Sequence, residues 1–128
     1  MSGLDIYQPL KNSASAFDLA LHLDDLKLLN AIKKGLGSSG FKKEVLSEAL
    51  LNAIVNGSKT EIFDFLIENG ADINYSNDLM TPLNLSAHIG SLSLNYFIER
   101  GAQLDPKNPK DIEVYKAYMK VINKRNFN

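Results

Sequence analysis

The chain has 128 residues, of which 14 are Lys or Arg, 15 are Asp or Glu and none is Cys; 45% are hydrophobic and 23% charged. That length suits one domain able to bury its own core, and the composition is that of an ordinary globular protein. The near-neutral total argues against a general nucleic-acid binder, and the missing cysteines exclude disulfides, thiolate metal sites and cysteine nucleophiles.

In chain order, MSGLDIYQPL lacks a charged segment ahead of an apolar run, so no secretory leader is expected. No stretch approaches the roughly 20 apolar residues of a membrane helix. Residues 14–40 are expected to form a degenerate opening repeat. There Leu19, Leu23, Leu26, Leu29 and Ile32 keep helical spacing, and Asp24 and Asp25 cap the break between two helices. Gly35–Gly40 reads as a flexible loop. Two similar units follow, at 44–76 and 79–105. Each has a small residue, a Gly, an apolar helical run and then Gly-Ala; Gly57 and Gly90 are 33 residues apart, Gly70 and Gly101 31. Self-similarity at this period marks a repeat array. Ile62, Phe63, Leu66 and Ile67 form an apolar stripe in the first unit, matched by Leu94, Phe97 and Ile98 in the second. Residues 106–128 are expected to close the array as a capping segment. Its helix starts near Asp111, and Ile112, Tyr115, Met119 and Ile122 form the inner stripe.

Local chemistry supports the repeats. Thr81 can cap a helix with Pro82 in its first position, and Gly70 and Gly101 can end helices in the left-handed conformation. Ala53 and Ala87 are small enough for helices to approach closely. Thr81–Ala87, TPLNLSA, resembles the TPLHxA opening of ankyrin repeats, and Gly70–Asn74, GADIN, resembles their GADVN ending. The resemblance is strongest over residues 44–105. It implies an all-α, ankyrin-type helical solenoid of about three repeats with a C-terminal capping helix, in a single domain over 1–128, with six or seven helices. Asn84 stands where the family has His, which is expected to weaken one local hydrogen-bond arrangement, and Leu79 stands where a turn Gly is common.

Little else points to chemistry. His22 and His88 lack partners at ligand or catalytic spacing, no GxSxG elbow occurs, and Gly35–Gly40 lacks the Lys-Ser/Thr ending of a phosphate loop. Asp64, Glu68 and Asp72 read as solubilising charges. No enzyme activity, cofactor or metal is therefore expected. Residues 1–105 hold 8 basic and 13 acidic side chains, whereas 106–128 hold 6 and 2. With Tyr115, Tyr118, Lys116 and Lys120, that basic end admits a nucleic-acid reading by base stacking, against the plainer one of a solvated helix with buried aromatics.

The ankyrin resemblance implies a protein partner bound on a concave face of first helices and turn tips; the charge balance and the lack of a long apolar run add the expectation of no nucleic acid and no membrane, the absence of cysteine fits the cytoplasm, and the free chain is expected to be a monomer. Carried over residue by residue, that face comprises Tyr75, Asn77, Asp78, Leu79, Met80, Asn84, His88 and Ile89, with Val55 and Asn56 in the preceding repeat. Tyr75 and Met80 are the expected anchors; the competing reading folds Leu79 and Met80 back onto a neighbouring turn. Small proteins of this family include bacterial immunity proteins that block a toxin, so the resemblance also suggests an inhibitor. An adaptor or secreted effector scaffold is the alternative.

Overall fold

The computed structural model describes residues 15–90 and 93–126. The decamer read for a leader, and the side chains of Tyr118 and Ile122, lie outside the described residues. Among the described residues seven α-helices follow one another: α1 (Ala16–His22), α2 (Leu26–Leu36), α3 (Lys43–Asn56), α4 (Thr60–Glu68), α5 (Pro82–His88), α6 (Ser93–Glu99) and α7 (Pro109–Asn126). A short 3₁₀ turn, Gly37–Ser39, follows α2. Among the described residues there is no strand; the single β-bridge joins Asn77 and Met80. The fold is the expected all-α array of helix pairs. The chain divides into two compact units, the first ending at Asp72 and the second starting at Ile73.

In the first unit α1 and α2 form one pair and α3 and α4 the next, with α1 stacked on α3 and α2 on α4. Ser15 Oγ accepts the Asp18 amide to start α1, and Asp25 Oδ1 accepts the Leu28 amide to start α2. The five-residue apolar stripe read across residues 19–32 does not survive. Asp24, at φ 52°, breaks the helix and resets its phase. Helix α1 therefore buries Phe17, Ala20 and Leu21, and α2 buries Leu29 and Ile32, while Leu19 and Leu23 are exposed. The core is completed by Leu46, Leu50, Ala53 and Ile54 from α3 and Ile62, Phe63, Phe65 and Leu66 from α4. Phe41 packs between Phe17, tilted at 42°, and Phe65, edge-to-face, with centroids 5.5 and 5.7 Å away. Each such side chain stabilises the fold by about 1.5–3 kcal/mol through burial.

The Gly-Ala endings have one geometry. Gly70 and Gly101 take φ of 120° and 86°, and the amides of Ala71 and Ala102 donate back to Leu66 and Phe97 carbonyls across the helix end. In the first unit Ser47 Oγ accepts the Asp72 amide at 2.9 Å, tying the repeat ending to α3.

In the second unit α5 pairs with α6 and α7 stacks on α5. Buried Ser86 and Ser93 share a 2.9 Å hydrogen bond between the paired helices, and Tyr96 and Phe97 fill the space beneath them. The last helix begins at Pro109, before Asp111, with Asn108 as its cap: the Asn108 carbonyl accepts the Ile112 amide, and its Oδ1 accepts that of Lys110. The side chain facing inward is Asp111, and Tyr115, expected in the inner stripe, is 54% exposed. The reason is a polar anchor: Asp111 is almost wholly buried and accepts hydrogen bonds from Asn84 and the Asp105 amide, which sets the rotation of α7.

Candidate partner-binding surface

The turn before α5 is a two-residue hairpin. Asn77 and Met80 exchange both backbone hydrogen bonds at 2.9 Å, and the central residues Asp78 and Leu79 take φ of 50° and 71°. Positive φ at both positions defines a type I′ turn, a conformation that favours Asn, Asp and Gly. Asp78 suits it, but a leucine there carries a backbone cost of about 1–2 kcal/mol.

Two side-chain amides hold that strain. The Leu79 carbonyl accepts from Asn84 Nδ2 at 2.8 Å and from Asn108 Nδ2 at 2.9 Å. Asn84 also exchanges hydrogen bonds with Thr81: its amide donates to Thr81 Oγ1, and its Oδ1 accepts the Thr81 amide. Its second Nδ2 hydrogen goes to Asp111 Oδ1 at 2.7 Å. Asn84 thus joins the turn, the start of α5 and α7 in one network. Its placement on the partner-binding face is corrected: at 2% exposure it has no surface for a partner. The expected weakening from Asn in place of His is corrected too, because both amide hydrogens and the carbonyl oxygen of Asn84 are used.

The turn presents the other expected residues differently. Asn77, Asp78 and Leu79 are exposed, Leu79 to 45% of its surface, while Tyr75 and Met80 are half-buried. His88 and Ile89 are exposed at the end of α5. Met80 lies in a shallow groove with Ala87 and His88 of α5 and with Lys110, Glu113 and Val114 of α7. Ala87 is half-exposed rather than clamped between helices, because open space lies on both sides of it. Sequence reading missed Lys110, Glu113, Asn108 and Asp111 as neighbours of the turn. The pair Asn108-Pro109 did carry a helix-start signature.

Val55 and Asn56 lie on α3 of the first unit. Val55 is 66% exposed and borders a groove with Leu19 and His22 of α1 and Asn52 of α3. Asn56 is exposed, but its Nδ2 donates to the His22 carbonyl and Ser58 Oγ, so it also joins α3 to the end of α1. Asp24, beside that junction, accepts the Lys59 amide. Among the described residues no three His, Cys, Asp or Glu side chains gather as a metal site, and no helix is long and apolar enough to cross a membrane.

Stacked helix pairs joined by tight turns, with exposed apolar side chains on a braced turn tip, define a helical-repeat protein. Residues 50–98 match the family model for ankyrin repeats, which occur in many copies, so this segment of the chain is similar to ankyrin repeats. Such repeats generally mediate protein–protein interaction. No curated protein and no solved structure compared with the chain matches it.

Proposed function

We propose that the chain is a non-catalytic binding module that takes its protein partner on the turn tip and first helix of the second unit, with Leu79 as the central contact and Met80, His88 and Ile89 beside it. The observation that supports this reading most is the Leu79 turn. A leucine is held in a left-handed conformation by two buried amides, and its side chain still faces water. Backbone strain maintained by surrounding structure at an exposed apolar residue is the kind of arrangement that pre-forms a contact site. Leu79 therefore replaces Tyr75 as first anchor, since Tyr75 is half-buried and makes contacts of its own.

The finer proposal rests on the family resemblance. Occupying a partner's surface neutralises it, as an immunity protein neutralises a toxin, with the chain acting in the cytoplasm and as a monomer when free. An adaptor role uses the same surface.

The test starts with a pull-down using the tagged protein and identification of retained proteins by mass spectrometry. Leu79→Ser combined with Met80→Ser should weaken the identified complex by about 2 kcal/mol or more, roughly thirtyfold. Unchanged affinity in a folded double variant overturns the assignment of the surface. Loss of the partner's own activity on binding supports the inhibitor reading, and retention of that activity supports an adaptor.

A further inference from the structure

We propose that the start of α7 acts as a latch on the contact turn: Leu79 is held in its partner-facing conformation only while α7 is docked on α5, so α7 docking and partner binding are coupled. This rests on the protein-binding reading above and adds the regulation of that surface.

The turn does not hold the Leu79 carbonyl by itself. Asn77 and Met80 exchange their backbone hydrogen bonds with each other, and the Leu79 oxygen lies outside that pair. A carbonyl oxygen has two lone pairs. Both are engaged by side chains from outside the turn, Asn84 Nδ2 at 2.8 Å and Asn108 Nδ2 at 2.9 Å. Leucine is disfavoured at φ 71°, and a return to negative φ would swing its carbonyl away from both amides. The two hydrogen bonds and the left-handed leucine therefore form and break together.

Asn84 is a local brace, in the first turn of the helix that the contact turn leads into. Asn108 is a distant one, 29 residues from Leu79 and 5% exposed. Its side chain serves two elements at once. Oδ1 accepts the Lys110 amide at 3.0 Å in the first turn of α7, while Nδ2 donates to Leu79. The amide group is planar, so capping the helix through Oδ1 fixes where Nδ2 points. Asp111, in the same first turn of α7, accepts from Asn84 at 2.7 Å, which ties the local brace to α7 as well. Loss of this helical turn therefore frees Leu79. By linkage, a partner that grips Leu79 in its left-handed form strengthens the docking of α7 by the same factor.

The test is amide hydrogen exchange by nuclear magnetic resonance on the full chain, read at the Asn77 and Met80 amides that close the turn. Asn108→Ser keeps a side-chain oxygen to cap α7 but carries no amide for Leu79. It should speed exchange of both amides by about tenfold or more, with the amides of α3 and α4 unchanged. Glycine needs no brace at this φ, so in a Leu79→Gly background the same replacement should change their exchange by less than about threefold. A general loosening of the unit would instead open the turn in both backgrounds, whether or not α7 keeps its first turn. Protection of both amides at the parent level in Asn108→Ser overturns the proposal, as does equal acceleration in the two backgrounds. The measurement uses no partner, so failure of the contact surface and failure of the latch are separate results.

Discussion

Asn84 shows how much one side chain can decide. It donates through both Nδ2 hydrogens, to Leu79 and Asp111, and accepts from the Thr81 amide, so both its donors and its carbonyl oxygen are engaged in a buried site. A neutral histidine has one ring donor and one ring acceptor and cannot serve all three partners. Asn84→His is therefore expected to lower stability by about 1–2 kcal/mol although it restores the family's usual residue. Asn84→Ala, which strips every partner, should cost about 2–3 kcal/mol, a fall of roughly 6–15 °C in Tm by thermal denaturation. A His variant as stable as the parent would show that the Asp111 contact contributes little. Leu79 obeys a different balance. Glycine takes φ near 71° without strain, so Leu79→Gly should leave Tm unchanged or raise it slightly, while the apolar contact is lost. Stability preserved together with weakened partner binding is the expected pair of results. A large fall in Tm would mean that the Leu79 side chain packs as structure rather than facing a partner.

At the level of the elements, the two repeat alanines have separate roles. Ala53 on α3 is almost wholly buried, and extra methylenes there would overpack α3 against its neighbours. Ala53→Leu is expected to destabilise by about 1–3 kcal/mol. Ala87 occupies the corresponding place in sequence but is half-exposed between two open grooves, so Ala87→Leu should change stability by less than about 0.5 kcal/mol. Denaturant midpoints of the two variants measured side by side decide this; equal losses would show that α7 closes tightly on α5. The reason for the difference is the buried carboxylate at the start of α7. Asp111 secures the first turn of that helix to Asn84 and to the Asp105 amide, and beyond it Val114 and Ala117 leave grooves beside α5 and α6. The same logic explains the opening repeat, where the left-handed Asp24 lets α1 and α2 bury different faces.

For the molecule as a whole, charge is uneven: residues 1–105 are net acidic and 106–128 net basic. The exposed Tyr115 beside Lys116 gives the nucleic-acid reading a surface that the core stripe would have denied it. It remains a minor feature beside the acidic bulk, and a single-stranded oligonucleotide is expected to show no binding at physiological salt. Binding that falls steeply with salt, with a slope of several phosphate contacts, would reverse that expectation.

The helical repeat was legible in the sequence because its signals are local. Thr81-Pro82 starts a helix, Gly70-Ala71 and Gly101-Ala102 end two more, and the apolar spacing of Ile62, Phe63 and Leu66 needs no distant partner to be read. Most of the turn-tip residues were legible for the same reason, since the motif gives their place in the repeat. Local rules could not show that Asn84 is buried, that Asp111 faces inward while Tyr115 faces water, or that Leu79 is braced by Asn108, 29 residues away. Hydrogen bonds between residues that distant in sequence set the rotation of α7 and the strain of the turn, and side-chain exposure follows from those two choices. The groove beside α6 belongs to the same class: it exists because no described element covers that helix, a property of the packed unit rather than of any segment within it.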